Sequence, residues 1–379
     1  MPIDDLEESA SLEIVNVVLK KISLGEKVIS LAVGEPVFDT PPEIVEAAVQ
    51  GINKGMTHYT SSLGIPEVRE AIVKKVGRKN GIKCTIDNTM FISSKMAIYA
   101  VFMALNDGVR NEILVPDPGY FYREPALLAG LKPVPYFLND DYSLDLGAIR
   151  GLISKKTAGI IINTPSNPTG KVYSRKDLTE LYRMCHEAGI SIVSDEAYED
   201  LVYSGTHFSV GSLENDPDTV ISIFTLSKSY AMTGWRAGYL VANRKIIGRV
   251  LKFVEHAFTC FPPFIQYASA YALQNMDSTV IKFREQFMQR RSFIVSRLKE
   301  IDSFTVNAVD GAFYVFPRYR QNIESKRLTN MLLEKENVAI LPGSAFGTKG
   351  EGHVRISYSG SLESIEAGMD RLEKFMRLI

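Results

Sequence analysis

The chain has 379 residues, 45% of them hydrophobic, with 43 Lys and Arg against 44 Asp and Glu. That length favours two domains over one, and the composition can fill a substantial core. Balanced charge without a basic run argues against DNA, RNA or an anionic membrane as partner, and for a small molecule or a second copy of the chain.

The N-terminal stretch MPIDDLEESA is acidic where a secretion signal would be basic. No apolar run is long enough to cross a bilayer. Cys84, Cys185 and Cys260 are odd in number, widely spaced and free of Cys-x-x-Cys pairs. This points to a reducing compartment and away from structural zinc, so a cytoplasmic protein is expected. One helix and then LAVGEPVFDTPP fill the first 40 residues. In FISSKMAIYAVFMAL (91–105), Ser93 and Ser94 precede a helix of good formers, whose unpaired N-terminal amides attract anions. EILVP (112–116), AGIII (158–162), ISIVS (190–194), VISIF (220–224) and AGYLV (237–241) read as strands. They lack polar/apolar alternation, as strands covered on both faces do. Between the second and third lies SRKDLTELYRMCHEAG (174–189). Ser174 is placed to cap it, Leu178, Leu181, Tyr182 and Cys185 make an apolar face, and Gly189 ends it. Several such β-α-β units in a row predict an α/β fold with a mostly parallel sheet.

The pattern changes after about residue 275. A long helix is predicted over 277–301, then strands FTVNAV (304–309) and GAFYVF (311–316) joined at Asp310-Gly311. A helix at ESKRLTNMLLEKE (324–336), a strand at HVRISYS (353–359) and a helix near 361–378 complete a smaller α+β unit. The expected division is 1–40, 41–276 and 277–379.

Three predicted strands end at a common rim, and ligands of open α/β sheets sit beyond the carboxyl ends of the strands. ISIVSDEAYEDLVY brings Asp195 there, with Tyr198 three residues on. A helix-capping role for Asp195 or Ser194 accounts for this stretch equally well. AGIII runs into NTPSNPTG (163–170), a rigid turn with an asparagine, Asn167, that can bond a ligand or serve the turn alone. VISIF runs into TLSKSYAMTGWRAGY (225–239), where Lys228 sits among hydroxyls and apolar residues. Desolvation disfavours an ammonium, so buried lysines are rare, and the same burial makes the amine a nucleophile. Taken singly, Lys228 is a surface-loop residue. Convergence of Asn167, Asp195 and Lys228 on one rim favours a site. Arg236 and the amides after Ser93 can then hold a phosphate. No Gly-Lys-Ser/Thr triad or post-strand Gly-x-Gly-x-x-Gly is present, and His186-Glu187 lacks a second histidine four residues on. No ATP loop, dinucleotide loop or metal site is expected.

These motifs resemble the aspartate aminotransferase-like class I and II aminotransferases, which are fold-type I pyridoxal-phosphate enzymes. The likeness runs from about Leu12 to the C-terminus. SKSYAMTGWRAGY is its most specific piece, and HYTSSLGIPEVREAI, NTPSNPTG, SDEAYEDLVY and HVRISYS stand in the family's order around it. The resemblance implies a seven-stranded sheet sandwiched by helices in a large domain, 41–276, that binds pyridoxal 5'-phosphate. The 1–40 segment would pack with the small domain, 277–379. It implies that Lys228 forms an aldimine with the cofactor and that Asp195 pairs with the pyridine nitrogen. Asn167 and Tyr198 would bond the ring oxygen, and Tyr120 would stack on the ring. Arg236, Thr225 and the loop Ser93-Ser94-Lys95 would bind the phosphate. Arg355 would grip the substrate α-carboxylate, with Asn167 and the backbone of Gly34 beside it. Tyr59 would reach the phosphate of a neighbouring subunit's cofactor, which implies a homodimer with shared sites.

The implied reaction is ping-pong transfer of an amino group from an L-amino acid, aspartate first, to a 2-oxo acid, 2-oxoglutarate first. Aromatic, alanine and branched-chain donors stay open. So does a lyase of the same fold, such as a C–S lyase or cyclopropane-forming synthase. A regulatory ligand-binding domain on this scaffold fits poorly with an intact Lys228, Asp195 and Arg355 set. Two features depart from the family. Ser93 and Ser94 stand where glycine or alanine is usual, and the segment after Tyr120 is one residue short, which leaves Tyr122 without an implied role.

Overall fold

The structure, a computed structural model, describes Leu6 and residues 10–379, the side chains of residues 10–12 excepted. Most of the acidic stretch MPIDDLEESA therefore lies outside the described residues. Ala10–Ser23 (α1) leads to a two-residue strand, Ile29–Ser30 (β1). Pro42–Asn53 (α2) and Pro66–Lys75 (α3) each begin on proline, which suits the first helical position because an N–H there has no partner to lose. Thr89–Phe91 (β2), Ser94–Leu105 (α4), Glu112–Asp117 (β3), Arg123–Leu128 (α5), Lys132–Phe137 (β4) and Leu146–Leu152 (α6) follow. Then come Thr157–Asn163 (β5), Arg175–Ala188 (α7), Ser191–Asp195 (β6), Val220–Thr225 (β7), Leu226–Ser229 (α8) and Gly238–Val241 (β8).

These strands form one seven-stranded sheet in the order β2-β8-β7-β6-β5-β3-β4. Only β8 runs antiparallel to its neighbours; the other pairings are parallel. Every residue of β5 and β7 is buried, as two-sided cover requires. Alternate residues serve opposite cores: Ile161, Val193, Ile221 and Ile223 pack on one face, and Ile160, Ile162, Ile192 and Val220 on the other. The α7 boundaries follow their signals. The Ser174 side chain accepts from Asp177 N, and Gly189 closes the helix in the left-handed conformation.

Arg244–Ala257 (α9) and Pro263–Asn275 (α10) cover the first face, and the long helix Asp277–Glu300 (α11) leaves the sheet. Beyond it lie Phe304–Thr305 (β9), Tyr314–Val315 (β10), Arg318–Tyr319 (β11), Ser325–Glu336 (α12), Val338–Ala339 (β12), Leu341–Pro342 (β13), Val354–Ser357 (β14) and Leu362–Met376 (α13). A third core joins Phe287, Ile294, Leu298, Leu332 and Met369 to Leu31 and Tyr198. β1 pairs in parallel with β12, which carries the N-terminal segment onto the C-terminal third.

The hairpin expected at Asp310-Gly311 does not form. β9 pairs with β11, and β10 with β14. Asp310 N and Gly311 N instead donate to the Gly170 carbonyl at 2.9 and 2.8 Å. An Asp-Gly pair signals a tight corner, not the partner of that corner, and here the 163–170 turn captures it. The strands expected at 304–309 and 353–359 shorten to β9 and β14 for the same reason: their ends serve tertiary contacts. Among the described residues no helix is long and apolar enough to cross a membrane.

Candidate active site

β5, β6 and β7 are adjacent and parallel, so the residues just past their carboxyl ends are neighbours. The register sets Asn163 beside Asp195, and Asp195 beside Ile223. The turn carrying Asn167, the end of β6 with Asp195, and α8 with Lys228 therefore meet. They line a cavity of about 270 Å³. Gly34, Ser94, Lys95, Tyr120, Tyr198, Thr225, Arg236 and Arg355 line it too. Two residues singled out in the sequence stand outside the lining. Ser93 precedes α4, and Tyr59 is 87% exposed. No helix follows Asp195; residues 197–200 form a turn, so the capping alternative falls away.

The Lys228 amine donates to the Gly34 carbonyl at 2.7 Å and lies 5.7 Å from the centre of the Phe313 ring. Among the described residues no carboxylate pairs with it. Burial brings its pKa down to about 8; Glu35 and Asp195 oppose the drop, and Arg236 and Arg355 deepen it. Asp195 is 5% exposed. Its carboxylate accepts from the Tyr122 hydroxyl at 2.7 Å and from Ala197 N at 3.2 Å. Burial pushes its pKa up to about 6, against the pull of these two bonds. A buried carboxylate met only by neutral donors suits a cationic N–H.

Arg355, in β14, is buried. Its guanidinium lies 4.5 Å from the Tyr314 ring centre and 5.0 Å from that of Phe346. Nη1 donates to Asn167 Oδ1 at 3.1 Å, Nη2 donates to the Ala32 carbonyl, and Nε is buried without a partner. Burial lowers its pKa, and no carboxylate restores it. A planar, undersatisfied guanidinium is a ready carboxylate receptor. The Tyr198 hydroxyl meets that of Tyr314 at 2.9 Å.

At the other end of the cavity the first amides of α4 have no partner within the helix. Thr225 Oγ1 donates to Ser227 Oγ at 2.9 Å, and Ser227 also lines the cavity. Arg236 holds the left-handed φ of 56°, uncommon without glycine, and its Nη1 donates to the Thr233 carbonyl at 2.7 Å. Serine is accommodated at position 93 because its backbone is ordinary and extended, φ −62° and ψ 139°. The close approach falls on Gly238 of β8 instead. A Cβ there would lie 2.7 Å from the Phe224 carbonyl oxygen, 2.9 Å from that of Ile92 and 3.0 Å from Ser94 N. The lining thus sets four cations, Lys95, Lys228, Arg236 and Arg355, against the Asp195 carboxylate. It can hold an anion at each end and present an amine between them.

Sequence reasoning missed Tyr122, Tyr314 and Ser227. Only Ser227 had a local signal, its place between Thr225 and Lys228; the two tyrosines act through contacts across the fold. A second buried charged group lies one residue from Asp195. Glu196 accepts from Ser194 Oγ at 3.0 Å and pairs with His207 Nε2 at 2.8 Å. Lys75 pairs with Glu199, and Lys79 with Asp200.

The model of a family described as aminotransferase class I and II matches residues 26–372. An aspartate aminotransferase of Pyrococcus abyssi is 39% identical over 367 residues, 94% of each chain. An aromatic-amino-acid aminotransferase of Thermococcus litoralis is 38% identical, over 93% of this chain and 92% of its own. The solved structure of Thermus thermophilus aspartate aminotransferase with maleate shares the fold at a TM-score of 0.94 and 31% identity, with 98% of each chain covered.

Proposed function

The chain belongs to the class I and II aminotransferases, and on that premise we propose that it moves an amino group from L-aspartate to 2-oxoglutarate in two half-reactions at the cavity around Lys228. The observation that carries this reading is the Lys228 amine: half-buried in the cavity, held by a carbonyl rather than an anion, and lowered to a pKa of about 8 between Asp195 and Arg355.

Enzymes of this family use pyridoxal phosphate, and the donors around the cavity fit it. Asp195 offers a buried carboxylate to the ring nitrogen, and Lys228 an amine to the aldehyde. Arg236, Thr225, Ser227 and the amides of the Ser93-Ser94-Lys95 loop suit the phosphate. When bound, the cofactor supplies a sink for negative charge at the substrate α-carbon. The chain's own residues do the rest. Asp195 favours a protonated ring nitrogen by charge at short range. Asn167 and Tyr198 would hydrogen-bond the ring oxygen, and Tyr120 would cover the ring. Arg355 takes the α-carboxylate in a two-pronged grip, with Asn167 and the Gly34 backbone beside it. Lys228 would hold the aldehyde, and its free amine would carry a proton to and from the substrate α-carbon.

The choice of aspartate follows the relatives, among them an aspartate aminotransferase 39% identical over 94% of each chain. Its relatives carry aspartate and aromatic names, so a donor panel is decisive. We further propose a homodimer in which Tyr59 reaches the partner's cofactor phosphate. Its exposure, with that of Val45, Val49 and Ile52 on α2, supports an apolar subunit contact. We keep the division at 1–40, 41–276 and 277–379 and place the enzyme in the cytoplasm. Borohydride reduction of the holoenzyme followed by peptide mapping should label position 228. Label elsewhere, or none, refutes the reading. Ammonia release without a 2-oxo acid acceptor would point to a lyase.

A further inference from the structure

Asp117 ends β3, three residues before Tyr120, and its side chain is 5% exposed. It reaches a segment 231 residues further on. Oδ2 accepts from Thr348 N at 2.9 Å and from Thr348 Oγ1 at 2.7 Å, and Oδ1 accepts from Lys349 N at 2.9 Å. Gly119 N returns a bond to the Phe346 carbonyl at 2.8 Å. Between these contacts Gly347 has φ 121°, and a Cβ there would lie 2.3 Å from Asp117 Oδ1. The segment is therefore shaped to this carboxylate. A buried carboxylate is costly unless its oxygens are met, and three donors meet this one.

The clasped segment, 343–350, carries Phe346. That ring lies 5.0 Å from the Arg355 guanidinium and stacks on Phe121 at 5.4 Å and 23°. Phe121 and its neighbour Tyr120 both line the cavity. One anchor thus serves two groups of the site that come from distant parts of the chain. We propose that Asp117 is a positioning residue: it fixes Arg355 relative to Tyr120, and so sets where a carboxylate-bearing substrate lies against the ring-stacking side of the cavity. This rests on the carboxylate role given to Arg355 above. Arg355 would hold the carboxylate in ground and transition states alike, so loosening its platform raises KM more than it lowers kcat.

The test is Asp117→Asn, which turns one acceptor into an N–H aimed at the same donors. KM for aspartate and for 2-oxoglutarate should rise together by about tenfold, with kcat changed by less than about threefold. The dissociation constant of maleate should rise by the same factor, and amide exchange at Thr348 and Lys349 should quicken. Thr348→Val removes only the hydroxyl bond and should give a smaller shift in the same direction. Unchanged KM and maleate affinity in Asp117→Asn overturn the proposal even if the melting temperature drops, as does a loss confined to kcat. If Asp117→Asn fails to fold, Thr348→Val decides: unchanged KM and maleate affinity there overturn it. Wild-type protein that neither transaminates nor binds maleate would overturn the functional reading and this inference together. Wild type and variant behaving alike overturn only the inference.

Discussion

Two groups of cations, one around Lys75 and one lining the cavity, are partnered differently. On the far side of Asp195, Lys75 is 3% exposed and paired with Glu199. It also donates to Asn80 Oδ1 at 3.0 Å, and its amine lies 4.7 Å from the Phe224 ring centre. In the cavity, Lys228 and Arg355 meet only carbonyl and amide oxygens and an aromatic ring or two. The two places share β7: Phe224 covers Lys75, and the next residue, Thr225, lines the cavity. A buried cation with its own carboxylate is complete. One that lines a cavity and meets only neutral acceptors has capacity left for an anion brought from outside, whereas Arg290, also met by a carbonyl and two rings, lies outside the cavity lining. Lys75 is buried with a carboxylate, whereas Lys228 is half-buried without one, so partner and burial both separate the two lysines.

Lys228→Ala is the most severe way to test that contrast. Amino transfer should fall by a factor on the order of 10⁵ in single-turnover assays while some cofactor binding persists. Full activity would strip Lys228 of its role and erase the distinction. Arg355→Lys keeps the charge and loses the planar fork, so kcat/KM should drop about a hundredfold for every amino donor alike. A loss limited to one side-chain class would remove Arg355 from the carboxylate.

Stability of the cofactor-free enzyme sharpens the comparison further. Lys75→Met leaves Glu199 buried without its cation and should cost about 3 kcal/mol in urea titrations at pH 7. Lys228→Met should do the opposite and stabilise by about 2 kcal/mol, because the wild type holds a partly desolvated charge with no carboxylate beside it. The sign follows from a folded pKa of about 8, lowered from the ordinary 10.5 by burial first. The penalty is complete below pH 8, shrinks as pH rises through that window, and is gone above the ordinary value. The gain from Lys228→Met should fade likewise. Shifts of the same sign in both variants would end the contrast. The smallest effect is expected from Tyr59→Phe, a few-fold faster loss of cofactor on dilution, and no change would detach Tyr59 from a shared site.

Much of the cavity was legible because β-α-β periodicity predicts which strand ends adjoin. Asn167, Asp195 and Lys228 could be placed on one rim without coordinates, and Thr225 and Arg236 came with the same stretch. Tyr122 was hidden because its bond to Asp195 spans 73 residues and its place after Tyr120 carries no local pattern. Tyr314 was read only as a strand residue, yet its hydroxyl and ring touch Tyr198 and Arg355. Asp310-Gly311 misled because turn chemistry is local while strand pairing is not. Short strands such as β9 and β10 carry too few residues for a period to show.

Gly238 has a bearing on engineering. Anyone moving the 91–95 loop to a new scaffold as an anion grip would copy two serines and the helix behind them. The transplant would still fail unless the neighbouring strand arrived with it, because the bare α-carbon that admits the loop belongs to β8. The portable unit is a strand pair with a helix, not a peptide, and libraries that randomise the loop should leave position 238 untouched.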